Sequence, residues 1–214
     1  MLTLGIDTSE AIGGVSLFGE GGLADERLMD APLRHAESLI PLINRLLEAS
    51  SRQIADIERV SVNLGPGSFT GLRIGLATAK GIGQATGAAL VGVDGTVAYR
   101  SRIPEERRVC VLLRSRRDLL HVRWFSGARP KGPIRLMCED ELIVQLREET
   151  RELTLIGSAA GEIFERAADH AVLKLGPTPV LQPSPLSVAQ LGASEIADDQ
   201  LYELEPIYVE PVLV

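Results

Sequence analysis

The residues most able to do chemistry stand at the ends of two short apolar runs near the N-terminus. Asp7, Thr8 and Ser9 follow the first run. A carboxylate beside two hydroxyls could hold a metal–nucleotide or close a tight turn, and the pattern is common. After the second run comes a glycine loop, GPGSFTG (residues 65–71). Its candidates for binding a phosphate or other anion are Gly65, Gly67, Ser68 and Thr70.

The glycine loop has two interpretations. Pro66 fixes its own φ, Gly67 could supply a positive φ, and Ser68 or Thr70 could cap the helix that follows. The backbone N–H groups of that helix would also suit a phosphate. No Gly-Lys-Ser/Thr follows the last glycine, however, so the spacing is not that of a Walker loop. A phosphate loop and a ligand-free strand-to-helix turn therefore both remain open.

The sequence lacks a persuasive catalytic set. None of the three histidines, His35, His121 and His170, has another four residues later, so no helical metal clamp can form. There is no nucleophile-elbow motif and no CxxC pair. Cys110 and Cys138 are predicted to be buried, reduced thiols. We predict no catalytic residue, no metal site and no cofactor of its own.

The residue patterns predict an α/β fold in which the order β-β-β-α-β-α-β-α occurs twice. The polar segment SRIPEERR (residues 101–108) divides the halves. We therefore expect two lobes, 1–103 and 104–214. Ser38 is the predicted N-cap of the first helix, which would put Pro41 in its first turn, and Ser184 is predicted to cap a last helix that reaches about Ala197.

Two neighbouring helices of the first lobe carry unusual patterns. Small residues recur every four positions along the second helix, although each mid-helix glycine is about 1 kcal/mol worse than alanine. The first helix has more apolar residues than a core-facing stripe needs. We predict a partner interface, against the alternative of burial on the chain's own sheet. Its residues would be Leu39, Leu42, Ile43, Leu46, Leu47, Gly71, Leu72, Gly75, Leu76, Ala79 and Gly83.

Composition narrows the class of protein. The chain has 214 residues and a net charge of −7, which argues against a broad basic surface for nucleic acid. Any RNA contact would be indirect or confined to a local patch. The N-terminus lacks the features of a signal peptide, and no apolar run approaches the roughly 20 residues of a membrane span. We expect a cytoplasmic protein that does not contact a membrane.

These motifs closely resemble one family. LGIDTS (residues 4–9), RHAESLIPLI (residues 34–43) and above all GPGSFTGLRIGLATAKGIG (residues 65–83) are similar to the TsaB family, also called YeaZ or glycoprotease-like. The resemblance is strong over roughly the first hundred residues. It implies a duplicated actin-like/Hsp70-like (ASKHA) fold and a cytoplasmic protein of tRNA threonylcarbamoyladenosine synthesis.

The resemblance also implies partners. A TsaB-type chain does no chemistry itself, but pairs with its catalytic paralogue TsaD, which modifies the adenosine beside the tRNA anticodon. The ATPase TsaE joins them, the isolated chain forms a homodimer, and tRNA is met only through the complex. ATP or ADP could lie at the subunit junction. The two first-lobe helices described above would form the subunit contact.

Two departures and two rival functions accompany this resemblance. Relatives usually carry Asp-Ala-Arg where this chain has Arg114-Ser115-Arg116, and commonly an arginine where it has Glu210. The main rival is a stand-alone nucleotide-dependent ATPase or phosphotransferase that uses Asp7 and the glycine loop. The other is a peptidase, which no metal-ligand pair supports.

Overall fold

The computed structural model describes residues 1–167, 169–178, 182–195 and 203–209. The chain divides into two compact units. The first comprises Met1–Ala98 and Ser184–Ile207, and the second comprises Tyr99–Pro183 and Tyr208–Val214. The expected second lobe, 104–214, is therefore corrected, since Ser184–Ile207 belongs with the N-terminal residues. Glu210 and the predicted helix end at Ala197 lie outside the described residues.

The first unit is built on a five-stranded mixed sheet in the order β3-β2-β1-β4-β5. β1 pairs antiparallel with β2 and parallel with β4. The helices α1 and α2 contact each other and lie on one face of the sheet. The elements are β1 (Thr3–Asp7), β2 (Gly14–Phe18), β3 (Ala24–Leu28), α1 (His35–Ala49), β4 (Arg59–Gly65), α2 (Phe69–Thr86) and β5 (Ala89–Asp94).

The second unit repeats this plan. Its sheet has the order β11-β10-β6-β7-β8, and β9 also pairs with β7. β6 pairs antiparallel with β7 and parallel with β10, as β1 does with β2 and β4. After α3 (Gly95–Arg100), the elements are β6 (Arg108–Arg114), β7 (Leu119–Ser126), β8 (Arg129–Pro130), β9 (Arg135–Cys138), α4 (Glu139–Arg147), β10 (Leu153–Ile156), α5 (Ala160–Arg166) and β11 (Leu173–Leu175). The short strand β8 was not predicted.

The last described helix, α6 (Pro185–Ser194), packs on β1, β2 and β4 of the first sheet. Small residues allow this close contact: a Cβ at Gly5 would lie 2.4 Å from the carbonyl oxygen of Pro185. Glu26 accepts hydrogen bonds from the Ser184 hydroxyl and the Leu186 N–H, both 2.8 Å long. Because β1 is buried on both faces, the first sheet needs this second cover.

Two local predictions are corrected by the structure. Helix α1 begins at His35 with Arg34 as its N-cap, and not after Ser38, so Pro41 lies inside the helix. Pro41 is on the exposed side of α1, where its ring meets solvent. Of the cysteines, Cys110 is buried as predicted, whereas Cys138 is exposed at the edge strand β9. Within the described part of the chain, none of the helices has the length and apolar character needed to cross a bilayer.

Candidate functional site

The carboxylate of Asp7 accepts three hydrogen bonds from residues of its own chain. It is 1% exposed at the end of β1. Its Oδ1 accepts hydrogen bonds from the Ser9 N–H at 3.0 Å and the Ser9 hydroxyl at 2.7 Å. Its Oδ2 accepts one from Asn63 Nδ2 at 3.0 Å. Asn63, at the end of β4, also accepts from the Gly65 N–H at 2.8 Å, and so ties the two strand ends together.

The segment 7–9 lies directly against the glycine loop and the start of α2. The Ser68 N–H donates to the Ser9 carbonyl at 2.7 Å, and the Thr8 hydroxyl donates to the Gly71 carbonyl at 2.7 Å. A Cβ at Gly67 would lie 2.2 Å from the Ser9 carbonyl oxygen, and one at Gly71 would lie 2.1 Å from that of Thr8. These glycines are therefore required for close approach of two backbones.

The predicted phosphate-loop residues are thus brought together. Asp7, Thr8, Ser9 and Gly65 are buried, Gly67 and Ser68 are half-buried, and Thr70 is exposed. The Ser68 hydroxyl accepts from the Gly71 N–H at 3.2 Å, so it is the helix cap. The positive φ belongs to Gly65, at 109°, and not to Gly67 as expected. These contacts account for the loop as a strand-to-helix turn, and phosphate binding there stays a prediction.

The side chains predicted for the partner interface are buried inside this chain, so the interface at these residues stays a prediction. All eleven residues are buried within this chain, among them Leu39 at 1%, Leu46 at 0% and Leu72 at 1% exposure. The leucines of α1 belong to the core of the first unit. The glycine stripe packs on segment 7–9, since a Cβ at Gly75 would lie 2.2 Å from Thr8 Oγ1. The alternative of burial on the chain's own sheet therefore accounts for both patterns.

The helix pair does expose apolar surface, on other residues. Leu33, just before α1, is 75% exposed, Ile40 on α1 is 50% exposed, and Phe69 at the start of α2 is 54% exposed. Ile74 on α2 is half-buried. We call these four residues the helix-pair face. The Arg73 guanidinium lies 3.8 Å from the centroid of the Phe69 ring, a cation–π contact that holds the ring on the surface.

A cavity of about 190 Å³ opens within this face. Leu33 and Ile74 are on its wall, and Arg34 and Glu37 form an ion pair of 2.6 Å at its rim. His35 also lines the cavity, and its Nε2 is 2.8 Å from the Glu10 carbonyl oxygen. Burial lowers the pKa of His35, and the negative charge of Asp7 partly opposes that shift. His35 therefore fastens the β1–β2 loop to α1.

In the second unit, Arg114 is part of an ion-pair cluster. Both Arg114 and Arg166 contact the carboxylate of Glu139, which is 9% exposed. Arg114 also lies 2.5 Å from Glu162, and Arg166 lies 2.6 Å from Asp140. The positive charge of Arg114 is thus compensated by carboxylates from α4 and α5. The cluster links three elements of the second unit.

No metal-binding group stands out from the described residues. They contain no cluster of three or more His, Cys, Asp or Glu side chains that could hold a metal ion. His121 is 7% exposed, and burial lowers its pKa to about 4. Burial likewise raises the pKa of the Cys110 thiol well above its ordinary value. Both groups are neutral, core-facing side chains at neutral pH.

The sequence patterns did not single out two features of the candidate site, which are Asn63 and the helix-pair face. Asn63 could have been noted as a polar residue at a buried strand end. The helix-pair face could have been found from α1 itself, because Ile40 lies on the polar side of the helix, opposite the leucines.

Known proteins resemble parts of this chain in sequence. Residues 29–123 match the family model of TsaD, tRNA N6-adenosine threonylcarbamoyltransferase. A protein of that name from Solidesulfovibrio magneticus is 38% identical over 114 residues, which is 46% of this chain and 31% of the relative. The tRNA threonylcarbamoyladenosine biosynthesis protein TsaB of Escherichia coli is 31% identical over 94 residues, 44% of this chain and 40% of the relative. The chain spans about a third to a half of the length of such relatives.

Solved structures show the same fold along the whole chain. YeaZ from Pseudomonas aeruginosa matches with a TM-score of 0.75 at 21% identity, over 97% of this chain and 99% of that one. A Bacteroides thetaiotaomicron protein with an actin-like ATPase fold matches at 0.51 and 12% identity, over 91% and 96%. The duplicated actin-like fold is therefore confirmed. The predicted resemblance to the TsaB (YeaZ) family is confirmed as well, in sequence over 44% of this chain and in fold along 97% of it.

Proposed function

We propose that this chain is a non-catalytic subunit in tRNA threonylcarbamoyladenosine formation, which binds and activates a TsaD-type protein. The observation that carries the proposal is the helix-pair face. It lies within the segment that resembles TsaD, and three of its four residues are large apolar side chains that are at least half exposed. Similarity to the TsaB protein of Escherichia coli supports the pathway.

The physical case rests on which surface a partner could cover. Leu33, Ile40 and Phe69 are apolar but face solvent, so a partner that covers them gains burial without unfolding the core. The cavity beside them offers a recess for a side chain of that partner. A large aromatic residue next to a recess is typical of an interface hot spot. Phe69 is the expected anchor.

The proposal assigns no catalytic residue to this chain. The carboxylate of Asp7 accepts hydrogen bonds from Ser9 and Asn63. These bonds support a structural role for this carboxylate and a catalytic centre in the partner. ATP or ADP at the subunit junction, association with TsaE, a homodimer of the isolated chain and a cytoplasmic location accompany the proposal as further predictions.

The test uses the chain and its cognate TsaD-type protein, with binding measured by isothermal titration calorimetry. We expect Phe69→Asp and Ile40→Asp each to weaken binding at least about 30-fold, the effect of losing about 2 kcal/mol. Val144→Asp is the matched control, because Val144 is 61% exposed on α4 of the other unit. Equal binding by all variants would reject the docking face.

A second readout addresses activity. Threonylcarbamoylation of tRNA by the reconstituted system should depend on this chain, and Phe69→Asp should reduce it in parallel with binding. The chain alone, with ATP, should show no turnover. Nucleotide hydrolysis by the isolated chain that disappears in Asp7→Ala would instead support the stand-alone ATPase.

A further inference from the structure

The basic residues of this chain are concentrated in one segment. Residues 107–135 contain nine Lys or Arg and a single acid, Asp118, which gives a formal charge of +8 in a chain whose total is −7. All of this segment lies in the second unit. The rest of the chain is correspondingly acidic, so the two signs of charge are segregated.

Part of this basic charge is neutralised within the fold. Arg108 pairs with Glu149 at 2.9 Å, and Arg114 pairs with Glu139 and Glu162. The remaining exposed cations have no carboxylate within ion-pair distance among residues 1–167, 169–178, 182–195 and 203–209. They are Arg107, Arg116, Arg117, Arg129, Lys131 and Arg135.

Three of these cations form a row along the edge of the second sheet. In the strand register, Arg129 lies opposite Ser126 of β7 and Arg135 lies opposite Val122. Between them, the Lys131 N–H donates a hydrogen bond to the Trp124 carbonyl at 2.8 Å. Ser126, Trp124 and Val122 are alternate residues of one strand, so the three residues opposite them lie at successive positions along the edge, about 7 Å apart. We call Arg129, Lys131 and Arg135 the cationic edge.

The row continues beyond these strands. Arg108, Ser126 and Arg129 lie side by side across β6, β7 and β8, which puts Arg107 at the same end of the sheet. Arg116 and Arg117 lie in the β6–β7 turn at the other end. Edge strands often carry a lysine or arginine that blocks edge-to-edge aggregation. Protection from aggregation requires only one or two such charges. It therefore does not explain the exposed cations at both ends of the β6–β7 hairpin.

We propose that the cationic edge binds the phosphate backbone of RNA directly. The arrangement supplies several separate positive charges on one edge, which is the chemistry of phosphate contact. Trp124 is half-buried and packs against the core of its unit, and Phe125 is buried, so most of the aromatic surface beside the edge is used by the fold, which disfavours stacking of single-stranded bases. Double-helical RNA, recognised by its backbone, is therefore the favoured ligand.

The choice of RNA as the polyanion rests on the proposed function, in which the chain works beside a tRNA. Direct binding goes beyond that function, because the chain was expected to meet tRNA only through its partner. The acidic remainder of the chain would repel RNA from its other surfaces and so orient it toward the cationic edge.

The test measures binding of a fluorescein-labelled tRNA transcript to the isolated chain by anisotropy, between about 50 and 200 mM salt. The variant Arg129→Gln/Lys131→Gln/Arg135→Gln removes three charges from the edge. We expect affinity to fall at least tenfold and the slope of log K against log salt to decrease by about 2 to 3, because each lost phosphate contact contributes about 0.7 to 0.9.

The matched control is Arg27→Gln/Arg52→Gln/Arg147→Gln, which removes the same charge from exposed positions elsewhere. It should bind as the unchanged chain does, within about twofold. Equal weakening in both variants, or an unchanged salt slope, would overturn the proposal. Binding to anionic phospholipid vesicles without binding to tRNA would overturn it too.

A crosslink gives a readout that needs no charge removal. Cys138 is an exposed thiol at the end of β9, whereas Cys110 is fully buried, so a maleimide photocrosslinker should label Cys138 selectively. Crosslinking to tRNA from Cys138, and not from a Cys138→Ser/Arg52→Cys chain, is expected. The reverse pattern would contradict the proposal. TsaD docking, measured separately with the Phe69→Asp variant, reports on the proposed function independently.

Discussion

Replacing Gly75 with alanine tests whether the glycine stripe serves this chain's own packing. A Cβ at Gly75 would lie 2.2 Å from Thr8 Oγ1, but at ordinary distances of 3.5 Å from Thr8 Cβ and 3.6 Å from Ile6 Cγ2. The Thr8 hydroxyl is itself fixed by its hydrogen bond to Gly71. Helix propensity favours alanine by about 1 kcal/mol, whereas overpacking costs about 1–3 kcal/mol and the displaced hydrogen bond about 1 kcal/mol. We expect a net loss of about 1–3 kcal/mol in the free energy of unfolding.

The assay is urea unfolding followed by circular dichroism, with two companion variants. Gly81→Ala is the control, because a Cβ at Gly81 would have no atom within 4 Å, and it should stabilise the chain by about 1 kcal/mol. Thr8→Ala removes the clashing oxygen. In a Thr8→Ala background, Gly75→Ala should become neutral or stabilising, so the two substitutions should be coupled.

Equal stabilisation by Gly75→Ala and Gly81→Ala would refute this reasoning. So would strictly additive effects of Thr8→Ala and Gly75→Ala, since the clash involves a single oxygen atom. Either result would mean that the stripe is not held by segment 7–9, and an interface role for its glycines would again need to be considered.

Three further outcomes are expected. His121, with a pKa of about 4 when folded, is neutral in the native chain, so the unfolded chain binds more protons below pH 6.5. Its contribution to stability should fall by up to about 3 kcal/mol as the pH drops from 6.5 to 4, and His121→Leu should reduce that slope in pH-dependent urea melts to the part left by the other groups, among them His35, whose pKa is also lowered by burial. Asp7→Ala should lower the free energy of unfolding by about 2–4 kcal/mol, because it leaves buried donors of Ser9 and Asn63 unpaired; an unchanged midpoint would contradict the role of this carboxylate. Arg114→Met should destabilise by about 1–2 kcal/mol in the same assay, whereas loss of its more exposed partner through Glu162→Gln should cost less than about 0.5 kcal/mol.

Most of the fold was predictable because its signals are local. Alternating or continuous apolar runs mark β1, β4 and β6, and the order of elements indicates a duplicated, two-lobed α/β plan, whereas the actin-like fold was implied by the family resemblance. The boundaries of α1 were harder to predict, because the sequence around Ser38 and Pro41 resembles a helix start. The helix begins four residues earlier, at His35, which has a tertiary contact with the Glu10 carbonyl oxygen. The return of α6 to the first sheet depends on a long-range fit between small residues, which no local pattern records.

The candidate site shows the same division. The residue types and spacing by themselves marked the Asp7 segment and the glycine loop as candidate binding segments, and they placed the small residues of α2 on one face. Only the tertiary structure decided what that face touches. A helical stripe looks the same whether it packs on its own chain or on another, because periodicity defines a direction on the helix and not the neighbour that lies there. The neighbour is Thr8, whereas Ile40 on α1 and Phe69 on α2 are the exposed apolar residues on which the proposed docking face rests.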